Sequence, residues 1–230
     1  MTLPVAGWVL VAVAVGGALV GWATARRLAT AGYRLDDEEH LPPPRLTWWP
    51  VPALAGLAVF TTWHLGGLAH GAALPAYLLF CWLTVALVWI DVDVHRLPFG
   101  LVVPAMPWLV LLLAIASVAD GSRRWVSALV GALLLWLLYV LLAVLPGGGV
   151  GGGDVRLAPL VGGLLGWLGP GALVVGTMAT FLVGGLAALA LLATRRVGLR
   201  GEIAFGPAMC VGVFVAIGWS SPLVAVLLGT

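Results

Sequence analysis

The chain of 230 residues is 62% hydrophobic and only 9% charged, and its formal net charge is +2. A water-soluble domain of this length needs a more polar surface, so the composition excludes one and predicts a multi-pass membrane protein. All eleven basic residues are arginines scattered along the chain, which leaves no basic patch for nucleic acid.

Eight apolar runs are separated by short polar or Gly/Pro breaks, and a spanning helix needs about 20 mostly apolar residues. The predicted helices cover 3–24, 47–69, 74–90, 100–118, 125–145, 157–168, 171–194 and 203–228. The fold class is therefore all-α, with about eight transmembrane helices in one integral-membrane domain over residues 1–230. The first run lacks the basic start of a cleaved signal peptide, so we expect a retained helix.

The loop 26–46 after the first helix contains an acidic cluster at 36–39 and a proline run at 42–44, so it is too polar and too proline-rich to span a bilayer. Trp48 and Trp49 follow it and are typical of the aromatic belt at a membrane interface. Cys81 and Cys210 lie inside apolar runs without the spacing of a zinc site, so packing is their expected role.

The sixth run, 157–168, is short for a span and contains Pro159. It is consistent with a tilted helix, with a helix extended by the preceding glycine-rich loop, or with a partly re-entrant segment. Gly162 and Gly166 form a small-xxx-small pattern, which predicts the close approach of a neighbouring helix.

Orientation follows from the excess of basic residues in short cytoplasmic loops. With the N-terminus outside, nine arginines fall on the cytoplasmic side and only Arg123 and Arg124 fall outside with Asp120. We therefore predict that both termini are outside. The acids at the cytoplasmic edge are then Asp91, Asp93, Asp154 and Glu202.

Two aspartates stand at predicted membrane boundaries. Asp91 follows the apolar run 74–90, and Asp154 ends a glycine-rich loop before the run 157–168. Aspartic proteolysis needs two neighbouring carboxylates that share a proton, because one must activate water while the other donates to the scissile carbonyl oxygen. Glycine at 151 and 153 leaves room for an extended substrate, so the pattern predicts a paired carboxylate site.

These residues carry a family resemblance in three segments. GGGD at 151–154 fits the GxGD motif of intramembrane aspartyl proteases, and DVDVHRLP at 91–98 resembles the first catalytic motif of the type IV prepilin peptidases. The segment EIAFGP at 202–207 resembles the Pro-Phe-Gly-Pro segment of that family. The sequence departs from the family at Phe99, where Asp or Asn is usual, and at Ala204, which replaces the first proline.

The resemblance implies an aspartic endopeptidase with Asp91 and Asp154 as the catalytic dyad and with no metal or cofactor. It implies prepilin or pseudopilin substrates in the lipid bilayer, cut after a leader glycine on the cytoplasmic side of the inner membrane. Larger members have a zinc-binding cytoplasmic domain linked to N-methylation, but the loop 26–46 contains no cysteine, so the peptidase activity is the better supported one. The residues expected to position substrate are Gly151, Gly153, Arg156, Pro98, Phe205, Gly206 and Pro207.

Asp91 is preferred to Asp93 because the family register, counted to Pro98, selects it. Residues two apart on a helix point about 200° apart, so both acids cannot face one site if the helix continues through them. His95 would lie one turn from Asp91 on the same face. It could tune the proton affinity of Asp91, but an interfacial histidine is the expected interpretation.

Other polar residues have plain structural interpretations. Asp154 beside Arg156 could form a loop ion pair, and Glu202 fits a solvated helix start. His64 lies deep in the second run, where we expect a neutral histidine bonded to a neighbouring helix.

Two other functions fit the same acids. A small transporter could use the cytoplasmic-edge carboxylates as proton or cation sites. A GxGD protease for other single-span substrates is the second alternative, although such enzymes usually carry a Tyr-Asp pair, and here Ile90 precedes Asp91.

Overall fold

A computed structural model describes residues 5–35, 38, 42, 44, 47–66, 71–94, 99–121, 123–145, 150–193 and 205–228. The described residues form eight α-helices and no β-strand, so the predicted all-α fold is confirmed. The helices are α1 (Gly7–Leu28), α2 (Pro50–Leu65), α3 (Leu74–Val94), α4 (Phe99–Asp120), α5 (Arg124–Val144), α6 (Gly152–Leu168), α7 (Pro170–Ala193) and α8 (Gly206–Leu228).

Five stretches are long and apolar enough to cross a membrane, which confirms a multi-pass membrane protein. They are Gly7–Leu28, Gly71–Val94, Gly100–Asp120, Arg124–Val144 and Pro170–Ala190, and a shorter apolar stretch covers Gly206–Trp219. Helices α2 and α6 have 16 and 17 residues, fewer than the roughly 20 that an untilted span requires. The side of the membrane on which the termini lie stays a prediction.

The chain divides into two compact units, Met1–Ala116 and Ser117–Thr230, and each is described by itself. Whether they act as the single domain expected from the sequence stays a prediction. In the first unit α3 is the central helix, because most of its side chains are buried while α1 leaves large apolar side chains exposed, as a lipid-facing helix would. Gly21 lets α1 approach α2 closely, since a Cβ there would lie 2.6 Å from the carbonyl oxygen of Pro50.

In the second unit α5 packs against α6 through glycines. A Cβ on Gly131 would overlap the carbonyl oxygen of Gly162 and lie 2.9 Å from the Cα of Gly166. The close helix approach predicted from Gly162 and Gly166 is therefore confirmed. Helices α7 and α8 also pack through small residues, because a Cβ on Gly212 would overlap the Thr180 hydroxyl.

The glycine-rich segment before residue 157 belongs to α6, so the helix is extended in the way that one of the three interpretations of the sixth run predicted. The helix begins at Gly152 instead of 157, so it includes Gly153 and Asp154. Its N-cap residue is Gly151. Glycine is a poor helix former, but an acid in the first turn is favourable near the positive end of the helix dipole. Nearly every residue from Leu157 to Trp167 is buried, so α6 is the enclosed helix of its unit.

Helix α3 likewise extends beyond its predicted end at residue 90. It continues through Asp91 and Asp93 to Val94. Both aspartates of the proposed site therefore lie on helical backbone, one near the end of α3 and one in the first turn of α6.

Candidate active site

Asp154 is a buried carboxylate, with only 1% of the residue exposed. It is the third residue of α6, and its backbone N–H bonds back to the carbonyl oxygen of Gly151 at 3.0 Å. Its Oδ2 accepts a hydrogen bond from the backbone N–H of Phe205, at 3.1 Å. An amide donor and the adjacent helix N-terminus both interact favourably with negative charge, so they offset part of the cost of burying this carboxylate.

Phe205 immediately precedes α8 and links Asp154 to an aromatic cluster of Tyr139, Phe181 and Phe205. The rings of Tyr139 and Phe181 are stacked with centroids 6.1 Å apart, and those of Phe181 and Phe205 meet edge to face at 6.2 Å. Gly184 of α7 makes room for this arrangement, because a Cβ there would lie 2.6 Å from the Phe205 ring. The cluster therefore holds the backbone N–H of Phe205 where it can reach Asp154.

Asp91 lies near the C-terminal end of α3, three residues before the helix ends. The residue is partly exposed, but its Oδ1 atom is buried. A helix C-terminus carries a partial negative charge, which disfavours an ionised carboxylate. The dipole of α3 therefore disfavours a negative charge on Asp91, whereas the dipole of α6 favours one on Asp154. The two residues belong to different units, and their pairing stays a prediction.

Asp93 points to another side of α3 and is part of a polar network. The guanidinium of Arg34 binds both carboxylate oxygens, with Nε to Oδ2 at 2.9 Å and an Nη atom to Oδ1 at 2.8 Å. The Tyr33 hydroxyl donates to Oδ2 at 2.6 Å and accepts from the indole N–H of Trp89 at 3.0 Å. Asp93 therefore fastens the segment after α1 to the end of α3.

This anchor also changes the proton affinity of Tyr33 and Arg34. Burial and the hydrogen bond to Asp93 raise the pKa of the Tyr33 phenol to about 12. The hydrogen bonds to Asp93 raise the pKa of Arg34 as well. Both groups consequently keep their protons, and the network keeps its charges, throughout the physiological range.

Gly151 and Arg156 flank Asp154 without special backbone geometry. Gly151 has φ −69° and ψ 150°, an extended conformation open to any residue, and a Cβ there would lie 3.8 Å from Oδ2 of Asp154. Arg156 is exposed, and one of its Nη atoms contacts the carbonyl oxygen of Gly152 at 3.4 Å. Asp154 and Arg156 both lie in α6 and not in a loop. Because residues two positions apart on a helix point about 200° apart, they lie on different sides of it.

Several other predicted residues are placed or lie outside the described part of the chain. Gly153 is the second residue of α6, and Gly206 and Pro207 begin α8. Pro98, His95 and Glu202 lie outside the described residues. Within the described residues, no group of three or more His, Cys, Asp or Glu side chains is arranged to hold a metal ion.

The prediction for His64 was wrong. Its Nδ1 lies 2.8 Å from the carbonyl oxygen of Phe60, one turn earlier in α2, and its ring contacts the Phe60 ring at 4.3 Å. The bond is thus made within its own helix rather than to a neighbouring one, because the residue four positions earlier offers an oxygen on the same face.

Tyr139 is a residue of this site that the sequence analysis missed. It lies in α5, is 1% exposed, and its hydroxyl oxygen has no hydrogen-bond partner in the part of the chain that the structure describes. A buried tyrosine normally finds a partner for its hydroxyl, so a lone Tyr in the leucine-rich run of α5 was the available signal.

Comparison with known proteins assigns the chain to a family. Residues 78–198 match the model of the type IV leader peptidase family, and this range includes Asp91 and Asp154. The chain is similar to a protein named prepilin leader peptidase/N-methyltransferase from Aeromonas hydrophila, with 31% identity over 172 residues, which is 74% of this chain and 57% of the relative.

Two further relatives have the same name. The protein from Stutzerimonas stutzeri is 31% identical over 174 residues, covering 74% of this chain and 57% of the relative. The protein from Bacillus subtilis is 25% identical over 170 residues, covering 73% of this chain and 64% of the relative. The chain thus spans little more than half the length of these relatives, and no solved structure matches it significantly.

Proposed function

Because the chain belongs to the type IV leader peptidase family, we propose that it is a membrane aspartic endopeptidase that removes the leader peptide from prepilin-like proteins. The substrate class comes from the names of the relatives, which are prepilin leader peptidases. The proposal is confined to hydrolysis, since the cysteine-free loop 26–46 gives methyl transfer no support.

The observation that carries the proposal is the surroundings of Asp154. A carboxylate that is 99% removed from solvent would normally be avoided in an apolar unit, because burying an ion is costly unless it is hydrogen-bonded. Here the Phe205 N–H and the α6 N-terminus support the charge. A buried, supported carboxylate inside the family-matched range is what a general base requires.

In the proposed mechanism Asp154 and Asp91 form the dyad. Ionised Asp154 takes a proton from water as the water oxygen attacks the scissile carbonyl carbon, while protonated Asp91 donates its proton to the carbonyl oxygen. Collapse of the tetrahedral intermediate breaks the C–N bond, and the amine leaves with a proton from the dyad. The opposite helix ends at which the two acids stand favour this division of roles.

The residues around the dyad would contact and position the substrate. The apolar helix of the prepilin would lie among the lipid-facing helices with the leader junction at the cytoplasmic edge of the inner membrane. Gly151, Gly153 and Arg156 would line the extended cleavage segment, and exposed Arg156 offers a cation at this edge. Phe205, Gly206 and Pro207 would act through Asp154, because the backbone of Phe205 bonds to it.

The test is cleavage by the purified protein in liposomes. The substrate is a synthetic prepilin-like peptide with a short basic leader, a leader glycine and one hydrophobic helix, and mass spectrometry identifies the broken bond. We expect two fragments that meet after the glycine, and no cut when that glycine is replaced by a bulky residue. An intact peptide, together with proton flux reported by a pH-sensitive dye inside the liposomes, would instead favour the transporter.

A further inference from the structure

Tyr139 lies on the face of α5 that packs against α6. The buried residues of α5 are Ala128, Gly131, Leu135 and Tyr139, which recur at the three- and four-residue spacing of one helix face. Gly131 meets Gly162 of α6, and a Cβ on Gly162 would lie 2.9 Å from the Cβ of Leu135. This close glycine contact therefore packs the face against α6, and Tyr139 is buried inside the unit.

The Tyr139 side chain is held at its ring and not at its hydroxyl. The ring stacks on Phe181, while the buried hydroxyl has no hydrogen-bond partner among the described residues. Leaving a buried hydroxyl without a partner is unfavourable, whereas phenylalanine would fill the same space without that cost. Packing alone therefore gives no reason for the oxygen atom.

Tyr139 is linked to Asp154 through the aromatic cluster. Tyr139 stacks on Phe181, Phe181 contacts Phe205, and the backbone N–H of Phe205 donates to Asp154. One aromatic cluster therefore carries both a bound donor to Asp154, from Phe205, and an unused donor, from Tyr139.

We propose that Tyr139 is a positioning residue of the active site, whose hydroxyl donates a hydrogen bond to the reacting groups at Asp154 when substrate is bound. The acceptor is a carboxylate oxygen of Asp154 or the water that Asp154 activates. The phenol keeps its proton throughout and forms no covalent bond. This inference rests on the proposed peptidase function and adds to it a third side chain.

The test compares Tyr139→Phe with Tyr77→Phe in the prepilin-peptide cleavage assay. Tyr77 is the matched control, because it is fully buried in α3 and the same single oxygen atom is removed. We expect Tyr139→Phe to lower kcat by about 10- to 100-fold with KM within twofold of native, since a donor that acts on the reacting groups changes the chemical step. Tyr77→Phe should retain the native kcat.

Thermal unfolding separates this role from a structural one. Tyr139→Phe should have a Tm no lower than native, because the ring contacts remain and a buried polar atom is lost. A native kcat in Tyr139→Phe overturns the inference while leaving the peptidase function intact, and so does a lower kcat that is accompanied by a lower Tm. Absence of cleavage by the native protein would overturn the proposed function itself.

Discussion

Asp91 and Asp93 are two residues apart on α3, but their surroundings suit them to different tasks. Asp93 has both oxygens bound by Arg34 and a further bond from Tyr33, which commits it to anchoring the segment after α1. A carboxylate held in this way by a cation is a poor proton donor. Asp91 lies near the end of the same helix but on a different face, so it is the better candidate for catalysis.

Gly151 provides a prediction at the scale of one residue. Its extended backbone suits any residue, and a Cβ would make only an ordinary contact with Asp154, so Gly151→Ser should change the free energy of unfolding by no more than about 1 kcal/mol. If the glycine leaves room for substrate, the added side chain should lower cleavage at least tenfold, on the order of 1.4 kcal/mol.

Both quantities can be measured on one preparation, by chemical denaturation and by the peptide assay. Serine is chosen because it is a better N-cap than alanine, so loss of helix capping cannot explain lost activity. Native cleavage by Gly151→Ser would mean that the substrate does not approach this position closely.

Residues within one motif were easier to predict than residues that meet across the chain. The GGGD segment pointed to Asp154. The angle between Asp91 and Asp93 on a helix indicated that only one of these two acids could face the site. The partner of Asp93, Arg34, lies 59 residues away, and the donor to Asp154, Phe205, lies 51 residues away. No periodicity connects such positions, and Tyr139 was missed for the same reason.

At the scale of elements, glycine decides how closely helices pack. A Cβ on Gly131 would overlap the backbone of α6, and backbone atoms cannot move aside as a flexible side chain can. Without a strong hydrophobic force between helices in lipid, such close contacts are a main source of helix association. The α5–α6 contact consequently determines where the start of α6 places Asp154.

Gly131→Ala should therefore destabilise the second unit. Overpacking costs about 1–3 kcal/mol, which exceeds the gain of up to about 1 kcal/mol from replacing glycine by alanine in a helix. Gly163→Ala is the matched control, since a Cβ at Gly163 would find its nearest neighbour, the carbonyl oxygen of Ala128, at 3.8 Å. It should be neutral or slightly stabilising.

The measurement is the midpoint of thermal or denaturant unfolding in the same detergent, followed by cleavage activity. Gly131→Ala should lose both stability and activity. Equal stability of the two variants would mean that α5 and α6 are not pressed together at this glycine.

Helix number and order could be predicted because apolar runs of about 20 residues report spans directly. The ends of the helices could not be predicted in this way. The extra turns at the end of α3 and the start of α6 are polar or glycine-rich, and they are helical because Asp93 and Asp154 find partners in the folded chain. Tertiary contacts of this kind override local propensity.

At the scale of the whole molecule, the arginine distribution predicts which side each loop faces. Gly32→Cys, in the segment after α1, should be cytoplasmic, and Ser122→Cys, between α4 and α5, should be outside. The native cysteines, Cys81 and Cys210, are buried and should give little background.

A membrane-impermeant maleimide applied to intact spheroplasts should label Ser122→Cys at once and Gly32→Cys only after lysis. The reverse pattern would place Asp91 and Asp154 on the outer side, where a leader peptide that remains in the cytoplasm could not be cut.

The central claim is that Asp91 and Asp154 together carry out hydrolysis. The most direct test is cleavage of a coexpressed prepilin-like substrate by the native protein and by Asp91→Asn, Asp93→Asn and Asp154→Asn at matched membrane levels. Asp93→Asn keeps an acceptor oxygen for its anchor and should still cut. Asp91→Asn and Asp154→Asn should each lose at least about a thousandfold in rate, because an amide can neither accept nor donate the shared proton. If all four proteins behave alike, the dyad is contradicted.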